Sequence, residues 1–310
     1  MAVRVGFAAG ASAWPEYQVP LARALAEVGV VAEVSTLLDD PASVDYLVVA
    51  PGGGIEDFSA FVNAKAVLSL WAGVEKIVGN ATLTQPLCRM VDPDLTQGMV
   101  EYVVGNVLRH HLGLDRYIRG GTGWDQQVPP LSRERSVVIL GLGALGQACA
   151  AALMALGFPV TGWSRSAKSV PGVACVSGED GLQAALRRAE ILVTLLPKTP
   201  ETEGMLDARR LGWLSDGAVI INPGRGALID DDALLAALDA GRLGHATLDV
   251  FRVEPLPASH RYWSHPRVTV TPHIAADTRA ESAARVVAEN IRRGEAGEPF
   301  LHLVDRALGY

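Results

Sequence analysis

The sequence predicts an α/β protein: a doubly wound parallel sheet joined to a smaller α/β layer. Three observations carry that expectation. Short apolar runs alternate with helix-compatible segments from Ser136 to about Thr271, the pattern of parallel strands returned by crossover helices. A second set of such runs lies between Val3 and Leu70. The run from Ser136 to Lys168, SVVILGLGALGQACAAALMALGFPVTGWSRSAK, reads strand, glycine turn, helix, strand, a unit that seats a dinucleotide.

Ser136 to Leu140 form the strand of that unit, and Pro159 to Trp163 the next. Gly141 permits the tight turn, Gly143 lets backbone N–H groups approach a pyrophosphate, and Gly146 lets the helix lie close on the sheet. Ala144 and Leu145 complete the expected phosphate loop at a helix N-terminus, where anions are favoured. Hydropathy offers a competitor. From Val137 to Phe158 the only strongly polar side chain is Gln147, which fits a membrane span. Three glycines after the β-branched run Val137, Val138, Ile139 favour a turn instead, and Gly157 with Pro159 reads as a helix stop.

The second strand runs into Ser164, Arg165 and Ser166, with Lys168 beyond, and no acid lies between Thr161 and Val176. NAD-selective units place an acid there for the ribose hydroxyls. Two cations and two hydroxyls suit a 2′-phosphate, so NADP(H) is preferred and NAD(H) is the second choice.

The 310 residues fit two domains, and 49% hydrophobic content supplies two cores. A net charge of −7 argues against nucleic acid as a main partner. Cys88, Cys149 and Cys175 lack metal spacing and fit a reducing cytoplasm. His110 and His111 are adjacent, so they do not share a helix face as metal ligands would. No metal and no membrane partner is expected. Arg4 and Ala11-Ser12-Ala13 resemble a short signal peptide, but Gly6 and Gly10 interrupt the apolar run, and Val3, Val5 and Phe7 alternate as a first strand.

In chain order, strands are expected at Val3 to Phe7, Val30 to Ser35, Tyr46 to Ala50 and Ala66 to Leu70, with helices at Val19 to Val28 and Ile55 to Val62. The turn Ala72-Gly73-Val74 offers backbone N–H groups to a small carboxylate. A helix from Leu95 to Arg119 joins the layers, and the polar stretch Gly120 to Arg135 carries an isolated Trp124 of the kind that anchors interfaces. Further strands are expected at Glu190 to Leu196, Ala218 to Asn222 and His245 to Val250, with helices at Asp230 to Asp239 and Thr278 to Arg293. The last helix returns to the first layer. The expected domains are therefore 1–100 with 281–310, and 101–280.

Polar groups punctuate the ends of the late strands: Arg225, Asp249, Glu254 and His273. Reduction of a 2-oxo acid needs a proton for the developing alkoxide and a cation for the carboxylate. His273 suits the first task and Arg225 the second, while a carboxylate at Glu254 favours the imidazolium form.

These motifs, in order, resemble the D-isomer-specific 2-hydroxyacid dehydrogenase family, and within it the glyoxylate/hydroxypyruvate reductase A group. The resemblance runs from Ala72-Gly73-Val74 through Gly98-Met-Val-Glu-Tyr, GLGALG, Trp163-Ser-Arg-Ser, Leu196-Pro-Lys-Thr-Pro-Glu-Thr, Asn222-Pro-Gly-Arg-Gly and Asp249-Val-Phe-Arg-Val-Glu-Pro to Pro272-His-Ile-Ala-Ala. It implies a Rossmann domain with a smaller, discontinuous, flavodoxin-like domain. It also implies that His273 is the acid/base, Glu254 its partner and Arg225 the substrate clamp. Asp249 is then expected near the nicotinamide, and Leu196, Pro197, Thr202, Pro223 and Gly224 near the cofactor. A homodimer is implied, with Trp124 reaching the neighbouring active site. The turn Ala50-Pro51-Gly52-Gly53 is smaller than the family's bulky turn at this strand end, which leaves a bulkier 2-hydroxy acid as an alternative substrate. A nucleotide-sensing, corepressor-like protein on the same fold is the other alternative; the complete set of Arg225, Glu254 and His273 argues against it.

Overall fold

The apolar runs become two parallel sheets. The computed structural model describes residues 2–118 and 123–309; Arg119 of the expected helix and Gly120 to Thr122 of the linker lie outside them. The first sheet contains β1 (Val3–Ala8), β2 (Ala32–Ser35), β3 (Tyr46–Val49), β4 (Ala66–Ser69) and β5 (Leu87–Cys88), in the order β2-β1-β3-β4-β5. The second contains β6 (Val137–Leu140), β7 (Val160–Ser164), β8 (Ala174–Ser177), β9 (Ile191–Thr194), β10 (Ala218–Asn222), β11 (Leu243–Leu248) and β12 (Val268–Val270), in the order β12-β11-β10-β9-β6-β7-β8. The second order is that of a classic dinucleotide fold extended by one strand, and the first is flavodoxin-like. The helices are α1 (Trp14–Glu27), α2 (Pro93–His111), α3 (Asp115–Ile118), α4 (Ala144–Ala155), α5 (Gly178–Arg188), α6 (Ala208–Leu211), α7 (Asp231–Asp239) and α8 (Ala280–Ala296).

The chain divides into two compact units, Met1–Leu95 with Asp277–Tyr310, and Thr96–Ala276. Both crossings fall a few residues before the expected 100/101 and 280/281.

In the first unit, Tyr17, Leu21, Ala24 and Leu25 form the buried stripe of α1. They pack with β1, β3 and β4 and with Ala283, Ala284, Val287, Ala288 and Ile291 of α8. The alanines let α8 lie close. Beyond α8 the chain returns to β5: Val304 N–H donates to Leu87 O at 2.8 Å and Arg89 N–H to His302 O at 3.1 Å. That pairing covers a sheet edge that would otherwise expose unpaired backbone groups.

The helix expected over Ile55 to Val62 does not form. Phe58 and Phe61 are buried there, but local side chains take the N–H groups a helix would use: Thr82 Oγ1 accepts from Phe58 N at 2.9 Å and Asp57 Oδ1 from Ser59 N at 2.8 Å. The expected single helix to Arg119 also breaks. It ends at His111, Gly113 takes φ +65°, and α3 follows as a separate turn. The pair β8 and α5 was missing from the sequence expectation; Leu182, Ala185 and Leu186 of α5 are its buried, helix-spaced face.

In the second unit, Val137, Val138, Ile139 and Leu140 are fully buried, each worth roughly 1.5–3 kcal/mol of transfer free energy. The stretch that hydropathy could assign to a membrane is thus a core strand, a turn and α4. Among the described residues no helix is long and apolar enough to cross a membrane.

Register places the ends of six strands in one row. Leu140 pairs with Trp163 of β7 and Thr194 of β9; Val193 pairs with Ile221 of β10; Asn222 pairs with Leu248 of β11, and Leu248 with Val270 of β12. Gly141, Arg165, Pro223 and Asp249 each come directly after a strand of this row. At about 4.8 Å per strand, five steps from β7 to β12 span some 24 Å.

Candidate functional site

The middle of the row is the glycine turn. Gly141 has φ +106°, and a Cβ there would lie 2.5 Å from Leu195 O, so only glycine fits. A Cβ on Gly146 would stand 1.8 Å from Gly141 O, which is why α4 can sit directly on the turn. Gly143, the N-cap of α4, has no chain atom within 4 Å of its Cβ position. Its open side is where a phosphate can approach the helix N-terminus and meet the N–H groups at Ala144 and Leu145. Leu142 O accepts from Gln147 Nε2 at 3.0 Å and from Lys168 Nζ at 2.9 Å. Lys168, expected beside a 2′-phosphate, therefore has its ammonium bonded to the glycine turn.

At the end of β7, Ser164 Oγ donates to Ser166 O at 2.8 Å and closes a tight turn. Arg165 and Ser166 are exposed on it. The Glu201 carboxyl is held below its ordinary range chiefly by the Thr199 hydroxyl, with Arg165 adding to the effect. At the end of β9, Thr202 Oγ1 donates to Pro197 O at 2.7 Å and accepts from Thr199 N at 2.8 Å, which orders the turn carrying Leu196 and Pro197.

At the end of β10, Asn222 is buried and bonded through both atoms of its amide. Its Oδ1 accepts from Thr194 Oγ1 at 2.6 Å and Gly224 N at 3.1 Å, and its Nδ2 donates to Arg225 O at 3.0 Å. Gly224 and Gly226 pass so close to Thr194 and Phe251 that a Cβ on either would lie under 3 Å from backbone. Pro223, Gly224 and Arg225 are thereby held in one conformation. Arg225 is half-buried, and its Nη1 donates to Gly224 O at 2.7 Å.

At the ends of β11 and β12 stand Asp249 and His273. His273 Nδ1 lies 2.8 Å from Glu254 Oε2, and Glu254 Oε1 accepts from Phe251 N at 2.8 Å. A carboxylate only accepts, so Nδ1 carries a hydrogen, and Nε2 is the nitrogen left to hold the second proton of the imidazolium form. His273 has φ +55°, a left-handed value that is uncommon for a residue with a side chain. Asp249, expected near the nicotinamide, is fully buried, and its carboxylate accepts from Thr271 Oγ1, Ile274 N and Ala275 N. Sequence reading gave no role to Asn222, Thr194 or Thr271. The signal available was a polar residue closing each apolar strand, at Thr194, Asn222 and Thr271.

In the first unit, Ser69 Oγ accepts from Trp71 N at 3.1 Å and ends β4. Ala72, Gly73 and Val74 follow, and among the described residues no backbone carbonyl takes their N–H groups. Gly52 and Gly54 have positive φ in the small turn after β3. Trp124 is 95% exposed.

Residues 102–275 match the model of the NAD-binding domain of D-isomer-specific 2-hydroxyacid dehydrogenases. A glyoxylate/hydroxypyruvate reductase A of Escherichia fergusonii is 40% identical over 255 residues, covering 79% of this chain and 82% of the relative. Among solved structures, a D-isomer-specific 2-hydroxyacid dehydrogenase from Xanthobacter autotrophicus Py2 in complex with NADPH and MES is 40% identical. It superposes with a TM-score of 0.90 over 100% of this chain and 99% of that one. An NADPH-dependent glyoxylate/hydroxypyruvate reductase from Sinorhizobium meliloti, in complex with NADP and sulfate, is 35% identical with a TM-score of 0.83, over 100% and 99% of the two chains.

Proposed function

The chain belongs to the D-isomer-specific 2-hydroxyacid dehydrogenase family, and from that premise we propose that it is an NADPH-preferring reductase of small 2-oxo acids, glyoxylate and hydroxypyruvate first. The observation that carries the reading is the single row of strand ends: it sets the Arg165 turn, the glycine turn, Arg225 and the Glu254–His273 pair along one edge of one sheet. The residues present fit the cofactor. Gly143 is open where a pyrophosphate would approach, Lys168 adds positive charge at that turn, and Arg165 with Ser164 and Ser166 offers donors for a 2′-phosphate.

When bound, NADPH supplies the hydride for the carbonyl carbon. Arg225 holds the substrate carboxylate and carbonyl oxygens in its planar fork and favours negative charge as it develops on the carbonyl oxygen. His273 donates the proton to that oxygen from Nε2, and Glu254 fixes the ring through Nδ1. Asp249 holds the turn that presents His273. Leu196, Pro197, Thr202, Pro223 and Gly224, at the neighbouring strand ends, would help to hold the cofactor. In the first unit, the N–H groups of Ala72, Gly73 and Val74, which no backbone carbonyl among the described residues takes, are suited to a small carboxylate.

Two further assignments belong to the same reading. The exposed Trp124, with Ile118 and Val128 also exposed nearby in sequence, supports a homodimer in which this segment covers the neighbouring subunit. Three unpaired thiols support a cytoplasmic enzyme.

The test is NADPH oxidation followed by absorbance across a panel of 2-oxo acids, run in parallel with NADH. Turnover of glyoxylate or hydroxypyruvate, faster with NADPH, is the expected result. A higher kcat/KM for longer acids moves the assignment to a bulkier substrate; no turnover with any acid overturns the reading.

A further inference from the structure

His273 is a residue with a side chain in a backbone region that side chains avoid. Something must hold it there. Its own N–H donates to Asp249 O at 2.8 Å, and the next two N–H groups, of Ile274 and Ala275, donate to the two oxygens of the Asp249 carboxylate at 2.9 Å each. The turn is thus wrapped around one buried anion, and among the described residues no lysine or arginine forms an ion pair with it. A buried charge without a countercharge depends on its hydrogen bonds.

The remaining bond to that carboxylate comes from Thr271, whose Oγ1 lies 2.5 Å from Asp249 Oδ1. A threonine hydroxyl has one hydrogen, and here the carboxylate takes it. The second contact of the same hydroxyl, Tyr102 OH at 2.7 Å, must therefore have the phenol as donor. Burial, the largest influence on this phenol, pushes its pKa up to about 12, so it keeps that hydrogen at neutral pH. The result is a directed relay from Tyr102 through Thr271 to Asp249, each member polarising the next. Tyr102 lies on α2, remote in sequence from the strand ends it supports.

We infer that Tyr102 is a positioning residue for His273, acting through Thr271 and Asp249 to fix the turn that aims the imidazole. Without the phenol hydrogen, the half-buried Thr271 oxygen loses its donor, its grip on the carboxylate weakens, and the turn gains freedom. The Nδ1 contact to Glu254 is then made only part of the time. The inference rests on the reading of His273 as proton donor, but it makes a structural claim that survives if that reading fails.

The experiment compares Tyr102→Phe, Thr271→Val and the double variant with the unaltered protein. Losing one hydrogen bond beside a charged group should lower kcat about tenfold in Tyr102→Phe, with the NADPH dissociation constant unchanged by fluorescence titration. Thr271→Val should be at least as impaired, the double variant no worse than Thr271→Val, and Thr271→Ser close to the unaltered protein. The second readout needs no turnover. The ring signals of His273 in an NMR spectrum, assigned by their loss in His273→Ala, should shift in both Tyr102→Phe and Thr271→Val. If His273→Ala abolishes turnover while Tyr102→Phe keeps full kcat, or if the two losses add, the relay is wrong and the proton donor stands. If the protein reduces no 2-oxo acid, the proposed function falls, and an unmoved His273 ring signal in Tyr102→Phe would overturn the relay separately.

Discussion

Two glycine turns follow two buried strands, and they solve the same steric problem. After β3, Gly53 comes so close to the end of β1 that a Cβ would lie 2.2 Å from Ala8 O; after β6, Gly141 comes as close to the residue following β9. Each turn stands where the winding of its sheet reverses, between β1 and β3 in one and between β6 and β9 in the other. The difference is what comes next. Gly54 leads into an irregular segment pinned by Thr82 and Asp57, whereas Gly143 caps a helix of twelve residues. A reversal point with glycines makes a crevice; the helix N-terminus behind it makes an anion site. Only the second turn has both, and the candidate cofactor residues gather around it.

The widest gap between the two regions should appear in catalysis. His273→Ala is expected to lower kcat about a thousandfold, within the range for loss of a general acid, while NADPH still binds; retained turnover in stopped-flow assays would remove the proton donor from the second sheet. Next come the glycines themselves. Gly146→Ala must displace α4 from the turn, and NADPH affinity should fall about a hundredfold, a loss near 3 kcal/mol. Gly53→Ala, equally crowded, should lower the melting temperature yet leave NADPH affinity within about twofold, because only a helix-backed turn holds phosphate. Equal losses of affinity would erase the distinction.

A smaller effect is expected at the far end of the row. Arg165→Asp should raise the KM for NADPH about thirtyfold and that for NADH less than about threefold, since the cation meets only the extra phosphate; parallel increases would place Arg165 elsewhere. The smallest concerns acid stability. His110, packed between α2 and β11 with its Nε2 2.9 Å from Thr247 Oγ1, is held neutral, its pKa pushed down to about 3 by burial, with His245 and Arg109 adding to the effect. The ordinary value is near 6.5. Its contribution is therefore complete above that value and is lost as pH falls from there towards the folded value. His110→Gln keeps a hydrogen-bonding group but cannot be protonated in this range. Between about pH 8 and pH 5 its melting temperature should fall a few degrees less than that of the unaltered protein by calorimetry, and the difference should lie in the second unit.

The two regions also differ in how much of them the sequence displayed. The second sheet was legible because Val137 to Leu140 and Ala218 to Asn222 are apolar runs ended by glycine or asparagine turns, and local chemistry marks both ends. In the first unit the run from Ile55 to Val62 carries helix-like spacing, but Phe58 and Phe61 are buried by a turn whose hydrogen bonds come from Thr82, more than twenty residues away. No local pattern reports that. The same holds within the site. Arg225, Glu254 and His273 announce themselves by residue type, and Lys168 did too, yet its partner is the Leu142 carbonyl. Asp249 reads as a group for the cofactor, and its burial beneath the histidine turn emerges only when Ile274 and Ala275 are seen to fold back on it. Asn222 and Tyr102 stayed silent because their work is done through neighbours brought in from other strands.

The return of the chain to β5 and α1 sets an order of assembly. The second unit is continuous and has every strand of its sheet once Ala276 has left the ribosome, whereas the first must wait with the underside of its sheet and the stripe of α1 uncovered until Ala280–Ala296 arrives. Chains truncated after Ala276 and released from the ribosome should therefore resist protease across 96–276 while their first ninety residues are digested.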